Sequence, residues 1–376
     1  MNSKRKILLF VPSTNQDKQL EVLLHADEIE FRLIAIESLS QALGEFTTLK
    51  SIPLLKLSFR KTIRCILKNT RSIRNEICEF RPNIIESHGV IPGLLTAITF
   101  LCFPKVRHST TRFVYFRHHN LNHHIMKNRV AILVDKLISA THDYIVAPSR
   151  QTASVLVAEG ARPDKIRVIP HQLSMDKILH MTNVEYEKLS STTSRVEIIA
   201  VGRIDWQKNY PMMLETMRLL VGKNPNFHLR IFGAGNTGEV LNLILQIEKL
   251  GLSEKISLQE WTPTIELEII RSDIFLHTAI DESYGLVLAE ALSLGIPIVS
   301  NWAGGAADLA VFLGTSPIAY TPSDLAEELF RIISDLPSAN NRAKEIQNEF
   351  NLMMAKHNVV SQHLELIAKG ESQSIT

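Results

Sequence analysis

The sequence predicts an α/β protein built from two domains, each with a parallel sheet. The chain has 376 residues, enough for two domains of ordinary size. Short apolar runs alternate with helix-like stretches along both halves, a pattern typical of strand–helix–strand units with right-handed crossovers. The polar stretch 190–194 interrupts this alternation between the halves, which favours a linker there.

The domain boundaries follow from this interruption. We predict a Rossmann-like N-terminal domain over residues 1–180, a linker over 181–195, a Rossmann-like C-terminal domain over 196–350, and a helix over 351–376 that packs back toward the N-terminal domain. The two domains are expected to face each other across a central cleft.

Charge also differs between the halves. Residues 1–180 hold 26 Lys+Arg and 15 Asp+Glu, whereas the remaining residues hold 15 and 24. A basic half joined to an acidic half indicates domains with different partners. The basic half favours an anionic surface or an anionic acceptor.

The individual elements are placed by apolar runs and by helical periodicity. In the first half, strands are expected at 7–11, 31–36, 84–86, 112–117, 144–147 and 167–169, and helices at 62–80, 93–103 and 129–140. In the second half, strands are expected at 196–201, 228–232, 256–258, 274–277 and 297–300, and helices at 211–222, 237–251, 266–271, 284–294 and 323–368.

Composition limits the class of protein. With 45% hydrophobic and 21% charged residues the chain is globular. Cys65, Cys78 and Cys102 form neither a disulfide framework nor a metal-binding spacing, which fits a reducing cytoplasm. The basic N-terminus leads into an apolar run that stops at Pro12, which indicates a buried strand rather than a signal peptide. The apolar run 90–103 is too short to span a bilayer and predicts a core helix.

The segment 281–299 carries the most specific pattern. It reads as a loop with Glu282, a helix with Glu290 and then a buried strand, and Gly285 permits a tight turn into the helix. The loop follows the predicted strand 274–277, so it lies at the edge of the sheet where α/β proteins bind ligands. The free N–H groups of the first helical turn form an anion site. The pattern therefore favours a ligand with hydroxyl groups and phosphates, such as a nucleotide sugar.

Less specific interpretations of the two glutamates remain open. Glu282 could only favour the helix dipole, and Glu290 could be a surface helix residue. Because Glu290 lies in an apolar run, its carboxylate needs a hydrogen-bonding partner, which ligand hydroxyls would supply. The pair Gly304-Gly305 after the next strand gives a sterically open turn that could be functional or a simple loop.

Two glycine turns follow earlier strands of the second half. Gly202 permits a close turn, after which Arg203 and Lys208 could bind a pyrophosphate at the carboxyl end of the sheet. Both cations could equally be solvated loop residues. The turn Gly233-Ala234-Gly235 lets a base or ribose approach the backbone, or it simply connects a strand to a helix.

The segment 118–124 is rich in histidine. A zinc site is one interpretation, but no cysteine or ligating carboxylate lies nearby in the sequence. In a second interpretation, Arg117 and His118 lie at the end of a strand facing the cleft, where His118 could hydrogen-bond a sugar hydroxyl. A polar surface loop is the third. The group Glu86-Ser87-His88-Gly89 is a similar cluster at a strand end.

Basic side chains recur in and just before the predicted helix 62–80, where Arg60, Arg64, Lys68 and Arg71 fall near one face. Basic amphipathic helices dock on anionic membrane surfaces, but the pattern also fits a solvated face of a helix packed on a core. We expect no nucleic-acid binding, because the chain has no recognition motif and no interleaved aromatic residues.

Taken together, the motifs identify a resemblance to the retaining glycosyltransferases of family 4 (glycosyl transferases group 1), which have the GT-B fold. The resemblance extends from about residue 5 to about residue 365. The motifs that carry it are Gly202-Arg203, Lys208, Gly233-x-Gly235, Glu282 and Glu290 with Tyr284-Gly285-Leu286 between them, and Gly304-Gly305.

The resemblance implies a role for each matching residue. Arg203 and Lys208 match the pair that holds the donor diphosphate, Glu282 the acid near the reacting carbon of the donor sugar, and Glu290 the acid that binds the ribose hydroxyls. His118 matches a histidine near the donor sugar. The implied catalytic residues are Glu282, His118, Arg203 and Lys208, and the implied donor-binding residues are Gly202, Gly233, Gly235, Tyr284, Gly285, Leu286 and Glu290.

The resemblance also implies an activity. A hexosyl group would pass from a nucleotide diphosphate sugar to a glycan or lipid-linked acceptor, with retained anomeric configuration and without a cofactor or metal. The reaction would be front-face, with the leaving phosphate helping to take the acceptor proton. The implied setting is bacterial-type surface polysaccharide or lipopolysaccharide synthesis in the cytoplasm. A separate hypothesis, which rests on the basic helix face, places the protein on the inner face of the plasma membrane through Arg60, Arg64 and Lys68.

The chain departs from the family pattern on the acceptor side. The loop 11–16 lacks the usual glycine pair, and the segment Pro170-His171-Gln172-Leu173 replaces an Asn-Gly turn. Asp308 stands where a glutamate is common. Two alternatives therefore stay open. One is a non-catalytic accessory subunit that binds a partner transferase or a glycan, and the other is a nucleotide-sugar epimerase, which would convert a donor without any acceptor.

Overall fold

The structure, a computed structural model, divides into two compact units. Residues 1–172 and 358–376 form the N-terminal domain, and residues 173–357 form the C-terminal domain. Apart from Arg195, the predicted linker 181–195 lies outside the described residues. The structure describes residues 5–11, 29–36, 53–57, 62–106, 111–120, 128–171, 173, 195–223, 226–313, 321–356, 361–362 and 365–366.

The N-terminal domain contains a parallel sheet of seven strands in the order β3-β2-β1-β4-β5-β6-β7. The strands are β1 (Arg5–Val11), β2 (Ile29–Ile36), β3 (Leu54–Leu57), β4 (Ile84–His88), β5 (Arg112–Phe116), β6 (Tyr144–Ala147) and β7 (Ile166–Val168). The helices described in this domain are α1 (Ile63–Phe80), α2 (Val90–Cys102), α3 (Arg129–Thr141) and α4 (Arg150–Ala158).

The C-terminal domain contains a parallel sheet of five strands in the order β10-β9-β8-β11-β12. The strands are β8 (Val196–Val201), β9 (Phe227–Phe232), β10 (Ile256–Gln259), β11 (Ile274–His277) and β12 (Ile298–Ser300). The longer helices are α5 (Tyr210–Val221), α6 (Thr237–Lys249), α7 (Ile265–Ile270), α8 (Leu286–Leu294), α9 (Pro322–Ser334) and α10 (Leu336–Lys356), and a short helix spans Ala307–Ala310.

The interior strand β1 shows why the strands read as continuous apolar runs. Its residues Ile7 to Val11 are all buried. Successive side chains point to opposite faces of a sheet, so Leu9 packs in one hydrophobic cluster and Leu8 in another. Both faces of a parallel sheet are covered, which removes the need for polar positions. Each such side chain contributes roughly 1.5–3 kcal/mol by leaving water.

All the predicted strands are present, and the described part of the N-terminal domain also contains two elements that the sequence did not reveal. Strand β3 lies at the edge of the sheet, pairs with β2, and contains Lys56, which interrupts its apolar pattern. Helix α4 begins at Ser149, whose side-chain oxygen accepts a hydrogen bond from the backbone N–H of Thr152.

The helical region expected over 323–368 contains two helices, because the chain ends one helix and starts another at Asp335. Thr321 and Asp324 form a capping box that begins α9. Leu366 belongs to the N-terminal domain and is buried against residues of its sheet. Within the part of the chain that the structure describes, no helix has the length and apolar character needed to cross a membrane.

Candidate functional site

The strand order of the C-terminal sheet reverses between β8 and β11. The chain adds β9 and β10 on one side of β8 and then returns to place β11 and β12 on the other. Such a switch point leaves a crevice at the carboxyl ends of the strands, which is where open α/β sheets bind ligands. The loops that leave β8 and β11 carry Arg203, Lys208 and Glu282. The structure therefore brings these predicted residues to one edge of the sheet.

The loop after β8 holds the backbone of Lys208 in a short 3₁₀ turn. Asp205 begins the turn by accepting a hydrogen bond from the backbone N–H of Gln207 at 3.0 Å. Asn209 ends it in the left-handed conformation, with φ of 51°. The hydroxyl of Thr278, which follows β11, donates to the carbonyl oxygen of Lys208 at 3.1 Å. The two loops that flank the switch point are therefore tied together at Lys208.

Glu282 lies at the centre of a polar network. Its carboxylate accepts hydrogen bonds from the ammonium group of Lys208 and from Nε2 of His277, the latter at 3.1 Å. The ring of His277 is 2% exposed, and its Nδ1 lies 3.4 Å from Oγ of Ser300. The backbone N–H of Trp302 donates to the same Oγ at 3.1 Å. This chain of bonds gives His277 a proton on Nε2 and a lone pair on Nδ1.

The network keeps Glu282 ionised. Burial raises the pKa of Glu282, but the hydrogen bond from His277 and the charge of Lys208 outweigh burial and lower this pKa to about 2. Burial lowers the pKa of His277 below its usual value, although Glu282 opposes this shift. At neutral pH the site therefore presents a carboxylate, a neutral imidazole and a lysine cation. Carboxylate oxygens are strong acceptors for ligand hydroxyls.

Arg203 differs from Lys208 in its exposure. Its side chain is 73% exposed and contacts Asp205 at 3.1 Å and Gln207 at 2.7 Å, all within the same loop. Ion pairs this exposed contribute about 0–1 kcal/mol. The guanidinium group can therefore exchange these contacts for an anionic ligand at small cost.

The predicted glycines after β8 and β9 allow two loops to pack closely. A Cβ atom on Gly233 would collide with the carbonyl oxygen of Gly202, and one on Gly235 would come within 2.5 Å of the carbonyl oxygen of Ile204. Ile204 and Gly235 form a β-bridge beyond the ends of the strands. Gly202 itself lies against the side chain of Lys208. These glycines therefore bring backbone groups to the same edge of the sheet as Lys208.

Helix α8 presents its N-terminus at this edge. Gly285 precedes it with φ of 89°, and no side chain caps the helix there. The backbone groups of its first turn, beginning at Leu286, are therefore suited to an anion. Tyr284 packs its side chain into the domain core. Glu290 lies within the helix and is 3% exposed, which fits a buried carboxylate with partners rather than a surface residue.

Gly304 and Gly305 support Glu282 through the backbone. The N–H of Gly305 donates to the carbonyl oxygen of Glu282. A Cβ atom on Gly304 would lie 2.5 Å from that same oxygen, and the φ of Gly304 is 62°. The predicted open turn after β12 therefore fits closely around the backbone of Glu282.

The N-terminal domain places a second group of histidines at the end of its sheet. Nε2 of His118 lies 3.0 Å from Nδ1 of His88, and Nε2 of His88 lies 3.4 Å from a carboxylate oxygen of Glu86. The ring of His171 lies parallel to that of His118, with 5.7 Å between the centroids. Burial and the neighbouring imidazoles lower the pKa of His118 well below its usual value. His118 is therefore a neutral ring at physiological pH.

Arg117 was predicted to face the ligand-binding edge together with His118, but its side chain turns into the interior. Its guanidinium group is buried and donates to both carboxylate oxygens of Glu159, at 2.7 and 3.2 Å. A carboxylate oxygen of Asp135 lies 3.7 Å away, and the Nε of Arg117 donates to the carbonyl oxygen of His119 at 3.1 Å. Arg117 thus anchors the segment that carries His118 instead of pointing toward a ligand. The prediction failed because the partner carboxylates lie far away in the sequence.

A metal centre is not formed in the described part of the chain. No group of three or more His, Cys, Asp or Glu side chains there is arranged to hold a metal ion. The histidine-rich segment 118–124 is described only as far as Asn120.

Helix α1 confirms part of the predicted basic face. Arg64, Lys68 and Arg71 are exposed on it, whereas Ile73 and Ile77 are buried. Arg60 lies outside the described residues, as do residues 12–16 of the first loop.

Sequence reasoning missed His277 and Ser300. Both end short buried strands and read as parts of apolar runs. A histidine that ends a strand five residues before Glu282 was the available signal. Its meaning depends on the turn that brings the two side chains together.

Comparisons with known proteins show which family the chain resembles in sequence. A family model described as Glycosyltransferase Family 4 matches residues 19–175, and one described as Glycosyl transferases group 1 matches residues 183–349. An uncharacterized glycosyltransferase of Methanocaldococcus jannaschii, MJ1059, is 23% identical over 247 residues, covering 63% of this chain and 59% of that protein. The putative colanic acid biosynthesis glycosyltransferase WcaL of Salmonella typhimurium is 28% identical over 225 residues, covering 56% and 53%.

Solved structures show the same fold. HepE of Anabaena in complex with UDP-glucose superposes with a TM-score of 0.73 and 17% identity, covering 98% of this chain and 99% of that one. The chain spans about three fifths of the length of the first curated relatives that it matches.

Proposed function

This chain belongs to the group 1 and family 4 glycosyltransferases with the GT-B fold, and we propose that it transfers a hexosyl group from a nucleotide diphosphate sugar to an acceptor. The observation that carries the proposal is the network of Lys208, Glu282 and His277 at the switch point of the C-terminal sheet. It combines a cation for a diphosphate with a carboxylate for sugar hydroxyls. The N-terminus of helix α8 lies at the same edge.

The charges suit the departure of a diphosphate. As the bond to the sugar breaks, negative charge develops on the leaving phosphate, and Lys208, Arg203 and the first turn of α8 would stabilise it. Lys208 is paired with Glu282 in the described structure. A bound diphosphate would compete for this lysine and leave the carboxylate of Glu282 to accept hydrogen bonds from the sugar. We propose that the transfer needs no metal, because these groups supply the positive charge.

The donor side is the better supported half of the proposal. Glu290 would hold the ribose hydroxyls, and the backbone groups around Gly233 and Gly235 would approach the base or ribose. His118 would contact the donor sugar. Retention of the anomeric configuration and a front-face reaction belong to the proposal because the chain resembles retaining enzymes.

The acceptor is proposed from the relatives. WcaL carries the description of a putative colanic acid biosynthesis enzyme, and HepE has been solved with UDP-glucose. A glycan or lipid-linked acceptor in the synthesis of a surface polysaccharide or lipopolysaccharide fits these names. Such an acceptor would place the protein at the inner face of the plasma membrane, where the exposed basic residues of α1 would meet anionic lipid.

The first experiment is a screen of nucleotide diphosphate sugars in the presence of EDTA and without acceptor. One donor should raise the melting temperature and release its diphosphate slowly. Arg203→Ala and Glu282→Ala should abolish this release while keeping a wild-type circular dichroism spectrum. Arg331→Ala is the matched control, because Arg331 is an exposed cation of α9 paired with Glu328.

The outcomes separate the alternatives. Wild-type release by both site variants would contradict the site. Stabilisation by no donor and by no nucleotide diphosphate would favour an accessory subunit without activity. Conversion of a donor into an epimer, without released diphosphate or transfer, would identify an epimerase. Activity that is lost in EDTA and restored by a divalent cation would contradict the proposal that no metal is needed.

A further inference from the structure

A line of three side chains leads to His118 from the interior of the N-terminal domain. Glu86 is fully buried in β4, His88 ends the same strand, and His118 lies two residues beyond β5. The distances are 3.4 Å from Glu86 to His88 and 3.0 Å from His88 to His118. The glycosyltransferase site described above makes no use of Glu86 or His88.

The strand pattern explains why these side chains meet. Residues two apart in a strand point to the same face, so Glu86 and His88 lie on one side of β4. Strand β4 pairs with β5 so that His88 is opposite Phe116. The two rings are nearly parallel, at 9°, with 4.4 Å between their centroids. Phe116 therefore fixes the plane of the His88 ring.

The hydrogen bond between the two histidines lies in the plane of their rings. The rings are inclined by only 14°, and their centroids are 5.2 Å apart. This separation is close to the 3.0 Å between the nitrogens plus the two distances from ring centre to nitrogen. The two ring centroids and the two nitrogens are therefore nearly collinear. The N–H of one ring points directly at the lone pair of the other, which is the favourable geometry for a hydrogen bond.

The direction of each hydrogen bond follows from the carboxylate at the start of the line. With Glu86 ionised, its carboxylate can only accept, so Nε2 of His88 carries a proton and donates to Glu86. A neutral imidazole has one donor and one acceptor nitrogen, so Nδ1 of His88 accepts from Nε2–H of His118. The remaining nitrogen of His118, Nδ1, then carries a lone pair. This Nδ1 is buried and has no hydrogen-bond partner among the described residues.

The surroundings of His118 keep its ring neutral. His88, His119 and His171 face it as ionisable neighbours, and Glu86 lies behind His88. Burial and these imidazoles lower the pKa of His118. A neutral ring is required for the line to have a direction, because a doubly protonated ring has no lone pair to offer.

We propose that Glu86 and His88 are positioning residues that fix the tautomer of His118, so that its Nδ1 accepts a hydrogen bond from a hydroxyl of the bound substrate. The role of His118 at a substrate rests on the proposed glycosyltransferase function. The tautomer itself does not, and it can be measured without any substrate. A buried lone pair at the carboxyl end of a sheet selects a hydroxyl donor over an anionic group, because an anion would be repelled by it.

The tautomers can be measured by NMR on the full-length protein labelled with ¹⁵N-histidine, in which long-range proton–nitrogen correlations distinguish protonated from bare ring nitrogens. His118→Gln assigns the signal of His118. We expect His88 and His118 both to be protonated on Nε2 and bare on Nδ1 at pH 7.5. A proton on Nδ1 of His118 would overturn the proposal, because it would mean that the line runs in the opposite direction.

A matched pair of variants tests the positioning role. In His88→Asn the amide oxygen can take the place of Nδ1 and still accept from His118. His88→Leu fills a similar volume with no acceptor. We expect His88→Asn to keep the tautomer of His118 and most of the turnover of the donor found in the screen. His88→Leu should lose the tautomer preference and about tenfold in kcat/KM, the loss of one neutral hydrogen bond.

A purely structural role predicts the opposite order. If His88 only fills space, Leu should be tolerated better than the buried amide of Asn, both in turnover and in melting temperature. Equal turnover in the two variants, or higher turnover in His88→Leu, would overturn the proposal.

Adding the donor should also shift the Nδ1 signal of His118, and an unchanged signal at saturation would contradict the contact with substrate. If no donor turns over, the proposed function fails, while the tautomers still decide whether the line acts as described.

Discussion

His118 in the N-terminal domain and His277 in the C-terminal domain both lie at the carboxyl end of a parallel sheet. Their electrostatic environments differ. His118 is surrounded by other imidazoles, and its hydrogen bonds lead through His88 to a buried carboxylate. His277 contacts the carboxylate of Glu282 directly, and a lysine completes that group.

The difference shows how each domain handles charge at its ligand edge. The C-terminal domain keeps its charges at the edge, where Lys208 and Glu282 are each about one-seventh exposed. In the N-terminal domain, Arg117 lies in the interior and is paired with Glu159. Among the described residues, the edge of this domain carries the rings of His118 and His171, whose pKa values are lowered. A charged donor and an uncharged hydroxyl group would be recognised by these two surfaces respectively.

The largest expected effect concerns the charge buried beneath the N-terminal edge. Glu159→Gln removes the carboxylate from Arg117, whose side chain is inaccessible to water. Breaking such a buried pair costs roughly 3–5 kcal/mol. Glu328→Gln, which removes the partner of the exposed Arg331, should cost about 0.5 kcal/mol or less. Urea unfolding followed by circular dichroism measures the loss in free energy of unfolding for both variants. Similar losses would contradict the difference between the buried pair of Arg117 and the exposed pair of Arg331.

A nearly equal effect is expected on turnover in the C-terminal domain. Lys208→Met removes the cation that pairs with Glu282 and that would hold the diphosphate. Diphosphate release should fall by about 100- to 1000-fold, with a smaller loss of folding stability than Glu159→Gln causes. Lys249→Met is the control, since Lys249 is an exposed cation at the end of α6 in the same domain. If diphosphate release falls by less than tenfold, the diphosphate does not bind at Lys208.

The fold could be predicted because its strands are continuous apolar runs. Ile7 to Val11 and Ile274 to Leu276 are buried on both faces, and this makes them visible in the sequence. Strand β3 was missed because an edge strand tolerates Lys56. The break at Asp335 was missed because the residues on both sides of it have helical periodicity, and only the turn at that residue separates the two helices.

The site could be predicted only where its residues are close together in the sequence or match a known motif. Glu282 and Gly285 lie in one loop, so their meaning could be read directly. The partner of Arg117 lies 42 residues away, and nothing in the sequence near Arg117 indicates that it turns inward. His88 and His118 are 30 residues apart. Their contact depends on the pairing of β4 with β5, which no local pattern specifies.

Acid should weaken the N-terminal domain more than the C-terminal domain as the pH falls below about 6.5. Burial and His88 lower the pKa of His171 to about 3, so its neutral form stabilises the fold above the unfolded pKa near 6.5. This stability is lost between about pH 6.5 and 3, at up to about 1.4 kcal/mol per pH unit for each such histidine. In the C-terminal domain, burial also lowers the pKa of His277 and His228, but these shifts are smaller than those of His118 and His171. The stabilising effect of Glu282 is lost only from its unfolded value of 4.5 down to about 2.

The tryptophans allow this difference to be measured. All three, Trp206, Trp261 and Trp302, lie in the C-terminal domain, so their fluorescence reports that domain alone, whereas circular dichroism reports both. On acidification the circular dichroism signal should decrease at a higher pH than the fluorescence changes. His171→Leu should move the onset seen by circular dichroism to lower pH and leave the fluorescence transition in place. Coincident transitions in both the wild type and the variant would contradict this difference between the domains.

The smallest effect is expected at the surface, where the two domains differ in net charge. Helix α1 exposes Arg64, Lys68 and Arg71 next to Ile63, which is 78% exposed. Each basic residue near an anionic membrane contributes about 1 kcal/mol, and salt weakens the attraction. Sedimentation with vesicles that contain anionic lipid should show binding at low salt that decreases at high salt. The triple variant with Gln at these three positions should lose most of this binding.

A matched triple variant of the C-terminal domain decides whether the position of the charges matters or only their sum. Arg218, Lys249 and Arg331 are exposed cations on α5, α6 and α9, so replacing them by Gln removes the same net charge from the acidic domain. If vesicle binding depends on the basic face of α1, this second variant should bind almost as well as the wild type. Equal loss in both variants would mean that net charge alone drives the attraction. Binding that is insensitive to salt, or absent at low salt, would contradict electrostatic binding of the N-terminal domain to membranes.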